Sequence, residues 1–181
     1  MRCLLASFIA FATACSTEHV QQSHEPPIQN LAVTRKLNRT TMTETITAST
    51  PGGIVTASAR LRRYHPHEET QTPRHWIGFG EISPDLVLAD LSLVVAGKPV
   101  SIPRSCYADF GEFGFSGASL DLASDGEQVI LHYSGGDGAA SYYADFVVRD
   151  ARLEEIRIHT LGPLPDKRVG RITMVRSVPP Q

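Results

Sequence analysis

Three histidines fall within one short stretch of the chain, and imidazole is the side chain that most commonly binds metals in proteins. His65 and His67 flank Pro66, and His75 follows after a short loop. Residues two apart in a strand point the same way about 7 Å apart, so both imidazoles could bind one ion. With His75 as a third ligand, one coordination position would stay open, as a catalytic zinc site requires. His65, His67 and His75 are therefore candidate metal ligands of a metal-assisted hydrolase.

The same stretch has a simpler interpretation. Pro66 interrupts regular strand pairing, and the acidic residues Glu68 and Glu69 that follow His67 are typical of an exposed loop. Histidines in such loops are usually solvated, and this is the interpretation that the sequence favours. We expect no resident cofactor, and the metal site stands as the alternative.

Other catalytic patterns are weaker still. Ser141, His132 and several aspartates supply the residue types of a hydrolytic triad, but no nucleophile-elbow motif is present. The glycine-rich residues from Ser134 to Ser141 lack the lysine and the following helix of a phosphate-binding loop, so they predict a hairpin turn. No catalytic residue is assigned from the sequence.

Aromatic residues and one cysteine are predicted to belong to the core. Aromatic side chains in a small β domain more often fill its core than line a binding groove, which we expect for Trp76, Tyr142, Tyr143 and Phe146. Cys106 has no base nearby in the sequence and does not begin a helix, so it is predicted to be buried and unreactive.

The amino terminus has the features of a secretory signal. Met1-Arg2 is positively charged, and the apolar run Cys3–Ala12 is followed by the small residues of Ala12-Thr13-Ala14 before Cys15. An apolar helix of about ten residues spans roughly 15 Å, half of the roughly 30 Å hydrocarbon core, so it is too short to cross a bilayer. Residues 1–14 are therefore predicted to be a cleaved signal peptide.

Ala12-Thr13-Ala14-Cys15 resembles the lipobox of bacterial lipoproteins, although Ala12 stands where leucine is usual. The resemblance implies that Cys15 is acylated, becomes the first residue of the mature chain and attaches it to a membrane. Ser16, rather than aspartate, follows the cysteine, which implies the outer membrane in a Gram-negative host. Ordinary signal-peptidase cleavage after Ala14 is the alternative, and it would release a soluble secreted protein. Either route places the domain outside the cytoplasm, in or beyond the cell envelope.

The mature chain of this 181-residue precursor is long enough for one domain. Residues 15–39 are polar and predict a flexible tether, residues 40–160 predict a β domain, and residues 161–181 form a proline-containing tail with one possible strand at Arg171–Arg176. Short apolar or alternating segments bounded by turn residues, without amphipathic helices between them, predict a single antiparallel β-sandwich or barrel-like domain. The predicted strands are Thr41–Ser49, Ile54–Tyr64, His75–Gly80, Leu86–Val95, Val100–Ile102, Leu120–Leu122, Gln128–Tyr133, Ser141–Arg149 and Arg152–His159.

Charge and the missing catalytic motifs set the functional expectation. The net charge of −2 gives no reason to expect nucleic acid as a partner. The favoured interpretation is a membrane-tethered envelope domain that binds or scaffolds and is not an enzyme. The alternatives are the metal-assisted hydrolase and an inhibitor or immunity-type protein that binds an envelope partner through charges such as Asp121 and Asp125.

Overall fold

The computed structural model describes residues 27–66, 76–77, 82–112, 114–115, 119–136, 138, 141–160, 172–176 and 178. Within these residues the regular structure is β-strand apart from one 3₁₀ turn at Arg104–Cys106. The strands are β1 Gln29–Asn30, β2 Thr34–Asn38, β3 Thr43–Thr50, β4 Gly53–Arg63, β5 Leu86–Val95, β6 Lys98–Val100, β7 Gly111–Glu112, β8 Leu120–Ser124, β9 Gln128–Gly135, β10 Tyr142–Arg149, β11 Arg152–Thr160 and β12 Ile172–Arg176.

The strands form two antiparallel sheets that pack face to face. Sheet I has the order β2-β3-β4-β5-β6, with β7 pairing to β5, and sheet II has the order β1-β8-β9-β10-β11-β12. Among the described residues neither sheet closes on itself. The predicted antiparallel β-sandwich is confirmed, and the barrel-like alternative is not what the chain adopts.

Alternation of apolar and polar residues explains which face of sheet I is buried. Along β4, Val55, Ala57, Ala59 and Leu61 are buried, and the residues between them are half-buried or exposed. Successive side chains of a strand point to opposite faces, so one row packs on sheet II and the other faces solvent. The predicted strands Thr41–Ser49 and Ile54–Tyr64 are present as β3 and β4, which form a hairpin that pairs from Thr43–Arg60 to Thr50–Gly53.

An aromatic cluster fills the core where the two sheets meet. The ring centroid of Phe110 lies 5.2 Å from that of Tyr142, 5.6 Å from that of Tyr133 and 6.3 Å from that of Phe146. All four side chains are fully buried. Edge-on and offset contacts between such rings contribute about 0.5–1.5 kcal/mol each beyond the area that they bury. The aromatic cluster therefore fixes the spacing of the sheets beneath the centre of sheet II.

A buried carboxylate ties the two sheets together at one edge. Glu44 of β3 is 1% exposed, and its Oε2 accepts hydrogen bonds from the backbone N–H groups of Ser119 (2.7 Å) and Leu120 (3.2 Å) at the start of β8. Arg35 of β2 compensates its charge, with Nε 3.0 Å from Oε1. The same guanidinium donates to the Leu120 carbonyl at 2.7 Å. This clamp positions β8 against sheet I.

Strands at both ends of the described fold lie in segments that the sequence predicts to be the tether and the tail. β1 and β2 lie within residues 15–39, the predicted tether, and β2 is nearly all exposed. Such polar edge strands carry no apolar alternation that could reveal them. At the other end, the strand predicted within the tail is present as β12 and pairs with β11. Arg176 of β12 forms a two-point ion pair with Asp109, so the tail strand is held to the domain.

The glycines of residues 111–117 predict a loop, and at the start of this segment the prediction is wrong. Gly111 and Glu112 form β7, which pairs with Val87 and Leu86 of β5. A Cβ atom at Gly111 would lie 2.6 Å from Cγ of Pro84, so only glycine fits this close approach. The glycine thus marks a tight contact between chain segments, and it places Glu112 inside the sandwich.

Candidate functional site

The outer face of sheet II carries a row of polar side chains at equivalent positions on neighbouring strands. Asp121 of β8 pairs with His132 of β9, which pairs with Asp145 of β10, which pairs with Arg157 of β11. Directly paired residues point to the same face. The opposite parity of these strands supplies the core between the sheets, so the polar row lies on the face of sheet II that is turned away from sheet I.

Asp145 is the centre of this row. Its Oδ1 lies 2.7 Å from Nδ1 of His132, and its Oδ2 lies 3.5 Å from Nε2 of His159. Burial acts to raise the pKa of Asp145, but the hydrogen bonds and charges of the two imidazoles outweigh it and hold that pKa below its usual value. Asp145 is therefore ionised at neutral pH and fixes the orientation of both rings.

A surface groove of about 450 Å³ opens over these residues. Besides His132, Asp145 and His159, polar groups from β1 and from β8 and its start reach it, and Tyr143 supplies an aromatic wall with about half of its surface exposed. The other lining residues are Asn30, Ser119, Leu120, Asp121, Tyr133 and Ser134. Small-molecule sites combine such concave surfaces with a few convergent polar groups. We refer to this surface as the groove.

A second polar cluster lies inside the sandwich, directly below the groove. Glu112 is 6% exposed, and its Oε1 accepts a hydrogen bond of 2.7 Å from the Tyr133 hydroxyl. Its Oε2 accepts one of 2.9 Å from the backbone N–H of Gly136. A small cavity of about 170 Å³ adjoins Glu112 and shares Ser119 and Ser134 with the wall of the groove. We call Glu112, together with Tyr133 and Gly136 that donate hydrogen bonds to it, the interior cluster.

In the interior cluster the pKa of the Glu112 carboxyl is raised, whereas the pKa of Asp145 in the groove is lowered. Burial raises the pKa of Glu112 to about 7, although the hydrogen bonds from Tyr133 and Gly136 act to lower it. Burial also raises the pKa values of the Tyr133 and Tyr142 hydroxyls well above 10, so both stay protonated. Tyr142 donates to the Gly111 carbonyl at 3.3 Å. The hydrogen-bond partners of Glu112 among the described residues are therefore neutral.

The histidines predicted as metal ligands are not gathered into a described site. His65 follows β4 and is exposed, while His67 and His75 lie outside the described residues. Within the described part of the chain, no group of three or more His, Cys, Asp or Glu side chains is placed to hold a metal ion. Cys15, the predicted acylation site, also lies outside the described residues.

The predicted core residues divide into two groups. Trp76, Tyr142 and Phe146 are buried, as predicted, and so is Cys106, whose thiol pKa is raised by burial. The prediction for Tyr143 is wrong, because this side chain is on the outer face of β10 and lines the groove. Neighbouring Tyr142 and Tyr143 point to opposite faces, as strand pleating requires.

Sequence reasoning named His132 but missed its partners. His132 was considered only as part of a triad with Ser141, and Ser141 does not line the groove. Asp145 and His159 were not singled out. These two residues can be identified only from the pairing of β10 with β11, which brings His159 beside Tyr143 and next to Asp145 on the outer face. The arrangement of His132 and Asp145 is that of an oriented imidazole, a group that accepts or transfers a proton.

No family model, no curated protein and no solved structure matches the chain. Among the described residues, no helix has the length and apolar character needed to cross a bilayer. Function is therefore inferred from the chain's own geometry.

Proposed function

We propose that this chain is a lipid-anchored lipoprotein of a bacterial cell envelope whose β-sandwich binds a small ligand in the groove of sheet II. The observation that carries the proposal is the cross-strand arrangement of His132, Asp145 and His159 at the floor of a concave surface. The binding domain is the active part of the protein, and the lipid holds it at the membrane.

Preorganisation supports a binding role for the groove. Asp145 restrains two imidazole rings from neighbouring strands, so these side chains do not lose further rotational freedom when a ligand arrives. Reducing that loss is how a rigid site gains affinity. The site is built on paired strands rather than on loops, which holds its polar groups at fixed spacing. Tyr143 adds a large apolar surface beside them.

The anchor rests on the lipobox-like residues that precede Cys15. Each buried lipid methylene contributes about 0.8 kcal/mol to membrane binding, and one myristoyl-length chain is held only marginally. Two or three chains, as bacterial lipoproteins carry, make release negligible. A domain tethered in this way remains at the membrane surface and samples ligands there.

Acylation is tested by growing cells that express the full precursor with labelled palmitate. We expect label in the wild type and in a Cys106→Ser variant, and none in Cys15→Ser. Cell fractionation should place the labelled protein in the membrane fraction. An unlabelled wild-type protein that is recovered in the medium would instead support ordinary cleavage after Ala14.

Binding in the groove is tested with the acylated mature chain in detergent. Small molecules extracted from the host envelope are mixed with the protein, unbound material is removed by gel filtration, and retained molecules are detected by mass spectrometry. We expect a species retained by the wild type and by Glu127→Gln, which changes a carboxylate outside the groove, and lost in His132→Ala. Equal retention by His132→Ala would refute the groove as the binding site.

A further inference from the structure

We propose that the groove binds a small cationic ligand, with its ammonium group held between Asp121, His132 and the ring of Tyr143. This inference rests on the proposed binding function and adds the chemical class of the ligand. It follows from the charges around the groove, from the direction of its hydrogen bonds and from its exposed aromatic ring.

The groove carries more negative charge than its surroundings compensate. Asp121 and Asp145 both line it. Among the described residues, two guanidinium groups near the groove are each shared by two carboxylates. Arg35 lies 3.0 Å from Glu44 and 3.9 Å from Asp121, and Arg157 lies 2.7 Å from Glu155 and pairs in register with Asp145. Carboxylates therefore outnumber guanidinium groups around the groove, a balance of charge that favours cations over anions.

Hydrogen-bond direction favours a donor ligand. An ionised carboxylate only accepts hydrogen bonds, so the 2.7 Å contact with Asp145 requires that Nδ1 of His132 carries a proton. In the neutral ring the other nitrogen, Nε2, is then an acceptor. The neighbouring Asp121 carboxylate is also an acceptor, and its side chain is 62% exposed. An ammonium group, which has three N–H donors and no acceptor, matches these two groups.

The exposed aromatic ring supplies the third element of the site. Tyr143 is 53% exposed although it stands in the middle of a sheet, and it pairs in register with Ser134 and His159. A cation near the face of such a ring is attracted by the negative electrostatic potential of its π electrons. The groove volume of about 450 Å³ lies in the range of small-molecule sites, so a compact amine fits better than a folded protein surface.

The test is a titration of the full mature chain, made soluble by Cys15→Ser, followed by NMR of its side-chain and backbone signals. The probe is 1,4-diaminobutane, with 1,4-butanediol as the neutral control and succinate as the anionic control. We expect the diamine to shift the signals of His132, Tyr143 and Asp145 saturably. Asp121→Asn should weaken this binding about tenfold, and Glu127→Gln, with the same change of charge outside the groove, should not.

The outcomes separate this inference from the proposed function. If the diol shifts the groove signals as strongly as the diamine, the groove still binds small molecules but its preference for cations is refuted. If succinate binds more tightly, the charge argument is wrong. If the diamine shifts no groove signal, or binds Asp121→Asn as tightly as the wild type, the cationic site is refuted, while retention of an envelope molecule would still support the proposed function.

Discussion

Two carboxyl groups of the same sandwich, Asp145 on sheet II and Glu112 on the strand that pairs with β5 of sheet I, are held in opposite protonation states. In the groove, Asp145 faces two imidazoles and its pKa is lowered. In the interior cluster, Glu112 faces a tyrosine hydroxyl and a backbone N–H, and its pKa is raised to about 7. Both groups lose hydration and both accept hydrogen bonds. Imidazole partners, which can become cations, lower the carboxyl pKa by more than the loss of hydration raises it. Neutral hydrogen-bond donors do not.

The difference assigns separate roles to the two regions. Asp145 keeps its negative charge over the whole neutral range and therefore suits a site that orients imidazoles and attracts cations. Glu112 is close to half protonated at pH 7, and in the described part of the chain its charged form is bonded to neutral donors. The interior cluster therefore links stability to pH, whereas the groove provides a constant charge.

The largest expected effect concerns the pH dependence of stability at Glu112. Since its pKa in the folded protein, about 7, exceeds the ordinary value of 4.5, the folded state binds more protons in that window and stability falls as pH rises through it. The difference amounts to about 3 kcal/mol. Urea unfolding between pH 4.5 and 8 should therefore show a steeper decline for the wild type than for Glu112→Gln. Glu127→Gln should retain the wild-type slope, and equal slopes in all three proteins would contradict the raised pKa.

The next effect comes from crowding the interior cluster. A Cβ atom at Gly135 would lie 2.5 Å from the Tyr142 hydroxyl and 2.6 Å from Oε1 of Glu112. Gly135→Ala should displace these side chains and lower the free energy of unfolding by about 2 kcal/mol, as overpacking does in cores. Gly114→Ala is the matched control, because nothing lies within 4 Å of the added atom. Chemical denaturation that gives the same midpoint for both variants would show that the cluster is not tightly packed.

A smaller effect of opposite pH dependence is expected at Asp145. Its lowered pKa means that its contribution to stability is present above the ordinary value of 3.8 and is lost as pH falls through the folded-state pKa. Asp145→Asn should therefore destabilise the domain by about 1.5 kcal/mol at pH 7, the order of a hydrogen bond to a charged group. At pH 3 the loss should be smaller. Asp121→Asn, which removes an exposed carboxylate from the same face, should change stability much less, and a comparable loss would contradict the special position of Asp145.

The smallest expected effect concerns the turn between β10 and β11, and it leaves both carboxyl groups unchanged. The turn between β10 and β11 consists of Asp150 and Ala151, with φ angles of 51° and 58°. Side chains with a Cβ atom are strained there, and glycine is not. Ala151→Gly should raise the free energy of unfolding by about 0.5 kcal/mol after the entropy of the unfolded glycine is counted. Thermal unfolding measures this, and destabilisation by Ala151→Gly would show that the turn is not strained.

The fold was more predictable from the sequence than the site. Alternation along β4 identified its buried face, and Leu86–Val95 was predicted with the bounds that β5 has. These two strands are predictable because apolar side chains at every second position, or in a continuous run, are a local signal of burial. β1 and β2 lack such a signal, since their exposed polar residues gain their structure from the strands beside them.

The groove depends on register, which is not a local property. The pairing of β10 with β11 shifts between Val147 and Val148, leaving Glu154 as the extra residue of a bulge. Without it, His159 would lie opposite Tyr142, which points into the core, and not opposite Tyr143. A one-residue change in register moves a side chain to the other face. The bulge therefore brings His159 beside Asp145, and no pattern in the neighbouring residues predicts the bulge.

The contrast between the two carboxyl groups can be measured in one experiment. Carbon-detected NMR of the full mature chain carrying Cys15→Ser, with labelled Asp and Glu carboxyls, follows Asp145 and Glu112 together through a pH titration. We expect Asp145 to titrate below 3.8 and Glu112 near pH 7. Titration of Glu112 near 4.5, or of Asp145 above 3.8, would contradict this expectation.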